Sequence, residues 1–117
     1  MIEKTADLNE VREAYADHWL GWDSGADRRQ LQYRASFSLS PEVARKAMLL
    51  ACVYVYNAFT PDVLDKFDKD CRVTIAREGS VCLYVRPGAS GRMPCAKAVG
   101  ADEVRAQDNG EVRYWWD

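Results

Sequence analysis

Residues 71–86, CRVTIAREGSVCLYVR, decide the fold, because two runs of alternating apolar residues flank a glycine at position 79. A three-residue hairpin loop favours glycine at its third position, where a Cβ at positive φ would be strained. We therefore predict a loop at 77–79 that pairs Ala76 with Ser80. In this register the apolar residues of both runs share one side of the hairpin. They are Cys71, Val73, Ile75, Val81, Leu83 and Val85.

Residues 104–116, VRAQDNGEVRYWW, repeat this pattern around Gly110. A loop at 108–110 predicts a buried side that consists of Val104, Ala106, Val112, Tyr114 and Trp116. The opposite side consists of Glu103, Arg105, Gln107, Glu111, Arg113 and Trp115. Arg105 then lies opposite Arg113, and like charges across a strand pair are unfavourable. Either the neighbouring glutamates or an acidic partner must offset this repulsion.

Hydrophobic periodicity before the hairpins predicts two helices and a strand. Apolar residues at three- and four-residue steps predict an amphipathic helix near 6–19. Strict alternation over 30–40 is typical of a half-buried strand. The sequence SPE at 40–42 supplies a cap, a first-turn proline and an acid that complements the helix dipole, which predicts a long helix to about Ala58. Its apolar positions cover more than one stripe, so we expect it to be buried.

A shorter helix and an irregular segment complete the predicted fold. The sequence TPD at 60–62 starts a short third helix, whose Val63, Leu64 and Phe67 should face inward. Two prolines and three glycines make 87–101 mostly loop, with a short strand near 96–99. We therefore predict a single α+β domain over 1–117. In it, an antiparallel sheet of about four to five strands is packed on one side by the three helices.

Composition favours a folded, soluble protein. The 117 residues are 48% apolar and carry a net charge of −2, which suits one domain and argues against disorder. No apolar run reaches the roughly 18–20 residues of a membrane span, and the start of the chain lacks the features of a signal peptide. We expect a cytoplasmic protein without membrane contact, whose four cysteines are reduced.

The metal-ligating residue types lack the spacing of a metal site. The cysteines at 52, 71, 82 and 95 form no C-x-x-C pair, and His18 is the single histidine. The four aspartates between 62 and 70 lack the D-x-D-x-D-G pattern of a calcium loop. We therefore predict no metal and no cofactor, and we interpret these aspartates as a solvated surface.

A basic segment is the second charged feature. Arg86, Arg92 and Lys97 lie in a stretch, 79–101, that contains no acidic residue. This segment is a candidate to close over an anion, and basic residues of 28–34 extend it if the first strand lies nearby. The small net charge argues against binding driven mainly by phosphate neutralisation on nucleic acid. A solvated loop is the simpler interpretation.

Catalytic groups are scarce in this sequence. His18 would have to serve any acid–base pair, yet its place near the end of the first helix suits a surface or capping role. Cys95, near Arg92 and Lys97, is the one thiol whose surroundings favour a thiolate. No G-x-S-x-G, P-loop or G-x-G-x-x-G sequence is present. We predict no catalytic residues, and a cysteine-dependent enzyme is the weakest alternative.

A contact surface is the function that this pattern favours. Arginine and tryptophan are enriched at the energetic centres of protein interfaces, and the outer side of the second hairpin combines them. We predict a small non-catalytic protein that occupies a partner protein, as inhibitors, immunity proteins and phage or mobile-element anti-defence proteins do. The partner-binding residues are Glu103, Arg105, Glu111, Arg113 and Trp115. Trp115 packed under the first helix would remove this surface. The alternative is binding of nucleic acid or a small anionic ligand through 86–97.

Overall fold

The sheet has five antiparallel strands in the computed structural model, which describes residues 11, 15, 32–50, 59–78 and 80–116. The strands are β1 (Gln32–Arg34), β2 (Arg72–Glu78), β3 (Ser80–Arg86), β4 (Glu103–Ala106) and β5 (Val112–Trp116), in the order β1-β2-β3-β5-β4. The described helices are short. They are α1 (Pro41–Leu50), a 3-10 helix (Pro61–Lys66) and α2 (Ala96–Val99). The predicted α+β class and the antiparallel sheet are confirmed.

The first hairpin is tighter than the sequence predicts. Strands β2 and β3 stay paired through Glu78 and Ser80, so only residue 79 separates them, and Ala76 lies opposite Cys82. The predicted loop at 77–79 is therefore wrong. The predicted faces are right nonetheless, because the register is displaced by two positions and an even displacement keeps each side chain on its own side of the sheet.

Arg77 lies on the core side of the sheet as a consequence of this register. It is opposite Val81, and its side chain is fully buried. Its guanidinium carbon lies 5.1 Å from the ring centroid of Tyr15. The Tyr15 hydroxyl donates a hydrogen bond to the Ala76 carbonyl. An aromatic face attracts a cation, so the ring offsets part of the hydration that the guanidinium loses on burial.

The second hairpin has the predicted register. Arg105 lies opposite Arg113, and the Gln107 N–H donates to the Glu111 carbonyl at 2.8 Å. The Gly110 N–H donates to the Gln107 carbonyl at 3.2 Å, and Gly110 has a φ of 90°. This is the positive φ that the third position of such a loop requires.

The core covers only part of this hairpin. Tyr114 and Trp116 are fully buried, as predicted, whereas Val104 and Val112 are half-buried and Ala106 is exposed. The apolar alternation therefore predicts the correct face but overestimates how far the core extends along it.

A bulge interrupts the strand predicted over 30–40. The Ala35 N–H donates to the Ile75 carbonyl at 3.0 Å, and Leu39 forms an isolated bridge with Val73. Between these two contacts the chain advances four positions, from Ala35 to Leu39, whereas β2 advances only two, from Ile75 to Val73. Residues 36–38 therefore bulge out of the ladder. Ala35 and Leu39 remain buried. The predicted face is thus right, but the continuous strand is wrong.

Helix α1 and the 3-10 helix both begin at the predicted positions, but the Thr60 side chain makes no capping hydrogen bond, unlike that of Ser40. The Ser40 hydroxyl oxygen accepts a hydrogen bond from the Val43 N–H at 3.3 Å, and Pro41 opens α1. Pro61 opens the next helix, which is a 3-10 helix. Its predicted inward residues are buried. They are Val63, Leu64 and Phe67.

Two of the predicted helices are described only in part. The helix near 6–19 is represented by Val11 and Tyr15, which are both buried. The Tyr15 N–H donates to the Val11 carbonyl at 3.1 Å, the spacing of an α-helical hydrogen bond. The predicted continuation of α1 over 51–58 also lies outside the described residues, so the long buried helix stays a prediction.

Residues 96–99 form α2 and not the predicted short strand. Two alanines and a lysine favour helix at these positions, and Gly100, with a φ of 71°, ends the helix in a left-handed conformation. Val99 is buried, and its carbonyl accepts a hydrogen bond from the Trp116 indole at 3.1 Å.

Aromatic side chains fill the core between the sheet and the helices. Trp116 has the largest fully buried side chain among the described residues, and it meets Phe59 edge to face at 4.9 Å between ring centroids. Tyr114 meets Phe67 in the same way at 5.1 Å. Edge-to-face pairs add to the stabilisation that burial provides. Since neighbours on a strand point to opposite sides, the burial of Trp116 places Trp115 on the other face.

We expect substitutions at Gly110 to follow the tolerance of each residue for positive φ. Gly110→Asn should lower the free energy of unfolding by less than about 1 kcal/mol, and Gly110→Val by about 2 kcal/mol or more, because a β-branched residue is strained there. Urea unfolding followed by tryptophan fluorescence measures both changes. Equal losses for the two variants would contradict this turn geometry.

Candidate binding surface on the outer face of the sheet

The sheet face opposite the core carries most of the charged strand residues. We call it the outer face. The strand registers place these side chains on it: Gln32, Arg34, Arg72, Thr74, Glu78, Tyr84, Arg86, Glu103, Arg105, Arg113 and Trp115. Glu111 precedes β5 on the same side. All five predicted partner-binding residues therefore belong to this face.

The like-charged pair Arg105 and Arg113 is balanced inside the protein. Glu103 Oε1 lies 3.1 Å from Nη2 of Arg105 and 3.1 Å from Nη1 of Arg113. Glu111, the other glutamate expected to offset the repulsion, pairs instead with Arg34, with 2.6 Å between Oε1 and Nη2. The repulsion is thus offset by Glu103, and it no longer points to an acidic partner.

Glu78 is the centre of a hydrogen-bonded cluster on the outer face. Its Oε1 accepts from Nε and Nη2 of Arg113 at 3.2 and 3.0 Å, in the two-point geometry that suits guanidinium and carboxylate. Its Oε2 accepts from the Tyr84 hydroxyl and, at 3.4 Å, from the Cys82 thiol. Only 15% of the Arg113 side chain is exposed. Arg113 therefore contributes to the surface by holding neighbouring side chains in place and not by its own exposure.

Burial and hydrogen bonding have opposite effects on the charge of this cluster. Burial raises the pKa of Glu78, but the hydrogen bonds from Arg113 and Tyr84 lower it by more, so the pKa lies below its usual range. Burial and the neighbouring carboxylate raise the pKa of Tyr84 to about 12. The same two causes raise the pKa of Cys82 well above its ordinary value. At neutral pH the cluster holds one carboxylate that accepts from a protonated phenol and a protonated thiol.

Trp115 is held in a fixed, partly exposed position on the outer face. Its indole N–H donates to the Glu78 carbonyl at 3.1 Å, and the Arg113 guanidinium lies 5.8 Å from its ring centroid. Glu103 is its partner across the strand pair. The side chain is half-buried, whereas that of Trp116 is fully buried, as the predicted register requires.

A cleft of about 440 Å³ opens on the outer face beside the bulge of residues 36–38. Three arginines line it, Arg34, Arg72 and Arg86, together with a single acid, Glu111. Burial raises the pKa of Glu111, but the hydrogen bonds from Arg34 and Asn109 lower it by more, so this residue is a carboxylate at neutral pH. Arginines outnumber acids in the cleft lining by three to one.

Each arginine of the cleft is anchored differently. Arg34 pairs with Glu111, and its guanidinium lies 4.1 Å from the ring centroid of Tyr84. Arg72 donates from Nε to the Ser38 hydroxyl at 3.2 Å and from Nη2 to the Ser38 carbonyl at 2.6 Å. Arg86 donates from Nη1 to the carbonyl of Asn109 at 3.2 Å. Arg72 and Arg86 are therefore oriented by neutral acceptors.

The predicted anion-binding residues Arg86, Arg92 and Lys97 are not gathered in this cleft. Arg86 belongs to the cleft, whereas neither Arg92 nor Lys97 is part of its lining. Arg92 lies 3.8 Å from Asp68, and Lys97 is exposed on α2. The predicted extension of the basic patch towards the first strand is right for Arg34, which lines the cleft with Arg86.

Aspartates hold the loop that carries Arg92. Asp68 accepts a hydrogen bond from the Ser90 hydroxyl, and Asp70 accepts one from the Ala89 N–H at 2.8 Å. A Cβ on Gly88 would lie 2.0 Å from Asp70 Oδ1, so a larger residue at position 88 would displace this carboxylate. Within the described residues, no three His, Cys, Asp or Glu side chains come together as a metal site.

The described thiols differ in accessibility. Cys71 and Cys82 are buried and Cys95 is exposed, and all three are free. Cys95 lies at the N-cap of α2. His18 and Cys52, the other candidates for chemistry in the sequence, lie outside the described residues.

Sequence reasoning does not single out Glu78, Tyr84 or Arg72 as site residues. The predicted loop places Glu78 in a turn, although the alternation that begins at Arg72 continues through it. Following this alternation for two more positions would have placed Glu78 on the outer face, the same face as Tyr84. The contribution of Arg72 depends on the bulge, for which the sequence has no comparable signal.

Comparisons of the chain with protein families, curated proteins and solved structures found no match. Among the described residues, no helix has the length and apolar character needed to cross a membrane.

We expect Glu78→Gln to lower the free energy of unfolding by about 1–3 kcal/mol at pH 7, since charge-assisted hydrogen bonds are lost. The pKa of Glu78 is lowered in the folded protein. Its contribution is therefore present above the unfolded-state pKa of about 4.3 and is lost as the pH falls through the folded-state pKa. Urea unfolding from pH 7 to pH 3 should show the wild type and the variant converging in acid.

Glu42→Gln is the matched control, because Glu42 is exposed and its ion pair with Lys46 spans 3.6 Å on the surface of α1. This substitution should change stability by less than about 0.5 kcal/mol at pH 7. A difference between wild type and Glu78→Gln that stays constant down to pH 3 would contradict the proposed role of the carboxylate.

Proposed function

We propose that this protein is a small binding protein that acts by contact with a partner protein. The contact surface is the part of the outer face on β4 and β5 that exposes Arg105, Trp115 and part of Glu103, with the largely buried Arg113 and Glu111 supporting it. The observation that carries the proposal is the fixed position of a partly exposed tryptophan beside an exposed arginine.

Rigidity makes Trp115 a suitable anchor. Its ring is fixed by the hydrogen bond to the Glu78 carbonyl and by the adjacent Arg113 guanidinium. A side chain that is already ordered loses little conformational freedom on binding, so more of the contact free energy appears as affinity. Large aromatic side chains at the centre of an interface commonly supply much of that free energy.

The charge around Trp115 favours a partner that combines apolar and acidic groups. The Arg105 side chain is 69% exposed, so it can reach a carboxylate on another protein without losing Glu103. Arginines also outnumber glutamates on the outer face as a whole. Inhibitors, immunity proteins and phage anti-defence proteins act by such occupation of a partner surface, and we place this protein in that functional class. The proposal needs no catalytic residue.

We expect Trp115→Ala and Arg105→Glu each to weaken partner binding by about tenfold or more, as truncation of an interface centre does. The partner is first captured from a lysate of the native host and identified by mass spectrometry. Binding of the purified partner to each variant is then measured by biolayer interferometry.

Lys46→Glu is the matched control for Arg105→Glu. Both substitutions reverse one exposed positive charge that is paired with one glutamate, but Lys46 lies on α1, away from the outer face. Its binding constant should stay within about twofold of the wild type, since distant exposed charges are largely screened at physiological salt. Equal affinity for all three variants and the wild type would remove this surface as the binding site.

A further inference from the structure

We propose that the cleft beside the β1 bulge binds a phosphate monoester through Arg72 and Arg86. This site goes beyond the protein-binding surface, because it lies around the bulge and the adjoining parts of β1, β2 and β3, whereas Trp115 and Arg105 lie on β5 and β4. The two sites share only Glu111 among the residues named for the protein-binding surface. Three features of the cleft support the proposal: its arginines, the hydrogen-bond donors that two of them leave available, and its size.

Excess positive charge is the first observation. Arg34, Arg72 and Arg86 line one concave site, and Glu111 is the only acid among the described residues of its lining. Glu111 contacts Arg34 at 2.6 Å and so compensates that arginine first. The other two guanidinium groups remain as an excess of positive charge, which a concave site focuses. A phosphate monoester carries about −1.5 to −2 at neutral pH, which matches this excess better than a single carboxylate does.

Available donors are the second observation. The Nη1 group of Arg72 and the Nε and Nη2 groups of Arg86 make no hydrogen bond to any described residue. Arg72 is nevertheless fixed in direction, because its Nε and Nη2 are bonded to Ser38. Oriented guanidinium groups with spare N–H donors bind phosphate oxygens in the two-point geometry that lysine cannot provide. Ser36 and Thr74 line the same site.

Cleft size is the third observation. A volume of about 440 Å³ falls within the range of roughly 300–1,000 Å³ that small-molecule sites occupy. It exceeds what a phosphate group alone would fill, so an organic group attached to the phosphate has room beside it. Phe37, which is half-buried and packed against the core, belongs to the cleft lining as well.

The bulge itself supports a binding role. Residues 36–38 leave the ladder, and this displacement both opens the cleft and presents the Ser38 hydroxyl and carbonyl to Arg72. Bulges commonly redirect side chains beside binding sites. A regular continuation of β1 would pair with β2 along this length and leave no cleft.

The test is a titration of the full-length ¹⁵N-labelled protein with phenyl phosphate, followed by backbone amide shifts. We expect saturable shifts at 35–38, 72–74 and 86, with half-saturation below about 5 mM, an affinity in the range of a few kcal/mol. Arg72→Gln and Arg86→Gln should each weaken binding at least fivefold. Arg105→Gln, an exposed arginine on the same face outside the cleft, should stay within twofold.

The amide spectrum of each variant also reports whether it folds, so a loss of binding with an intact spectrum is attributable to the site. Arg86→Gln is the safer variant, because the Arg86 side chain makes a single hydrogen bond to the described residues, to the Asn109 carbonyl. Two further arms use inorganic phosphate and a short phosphoserine peptide. Tighter binding of phenyl phosphate than of the peptide supports a phosphorylated small molecule as the natural ligand, and the reverse order supports a phosphorylated protein segment.

Three results would overturn the inference. They are the absence of saturable shifts with all three probes, binding that Arg72→Gln and Arg86→Gln leave unchanged, and tighter binding of succinate than of phenyl phosphate. Partner binding is measured separately on Arg86→Gln, which should retain it. Loss of phosphate binding with intact partner binding, or the reverse, therefore separates this inference from the proposed function.

Discussion

The alternation of core-facing and outward-facing side chains along the central strand β3 determines the composition of both faces of the sheet. β3 is paired with β2 on one side and with β5 on the other, so each residue from Val81 to Val85 fixes the face of a neighbour on both strands. Leu83 lies between Ile75 and Tyr114 in the core, and Tyr84 lies opposite Arg113 on the outer face. A displacement of one residue would exchange the two sets. The apolar core and the charged outer face are therefore two consequences of one register.

The outer face is a connected network of charged and aromatic groups. Arg34 pairs with Glu111 and lies over the ring of Tyr84, whose hydroxyl donates to Glu78, and Glu78 in turn holds Arg113. These contacts run from β1 across β2 and β3 to β5. Partly buried ion pairs of this kind stabilise a fold modestly but fix the directions of their side chains. The network thus joins the arginine-lined cleft to the surface around Trp115.

Sequence reasoning predicts the faces well and the interruptions poorly. Alternation with a period of two predicts the buried side of β2, β3 and β5, and it remains right even where the loop at 77–79 is wrong, because the displacement is even. The turn at Gly110 is predicted in detail, since positive φ leaves a direct trace in residue choice. Arg77 in the core and the bulge at 36–38 are missed, because each depends on contacts between distant segments. The cleft is missed for the same reason, because it forms beside the bulge. Helix α2 is missed although its own alanines and lysine favour a helix.

The bulge of residues 36–38 also bears on how the sheet ends. Exposed outermost strands can recruit further strands from other molecules and so start aggregation. Here the β1 side offers three regularly paired residues before its ladder breaks, and the β4 side offers four, with Glu103 and Arg105 among them. Within the part of the chain that the structure describes, neither edge of the sheet offers a long, flat strand for pairing. The same irregularity that opens the cleft therefore also interrupts the edge that β1 offers to other molecules.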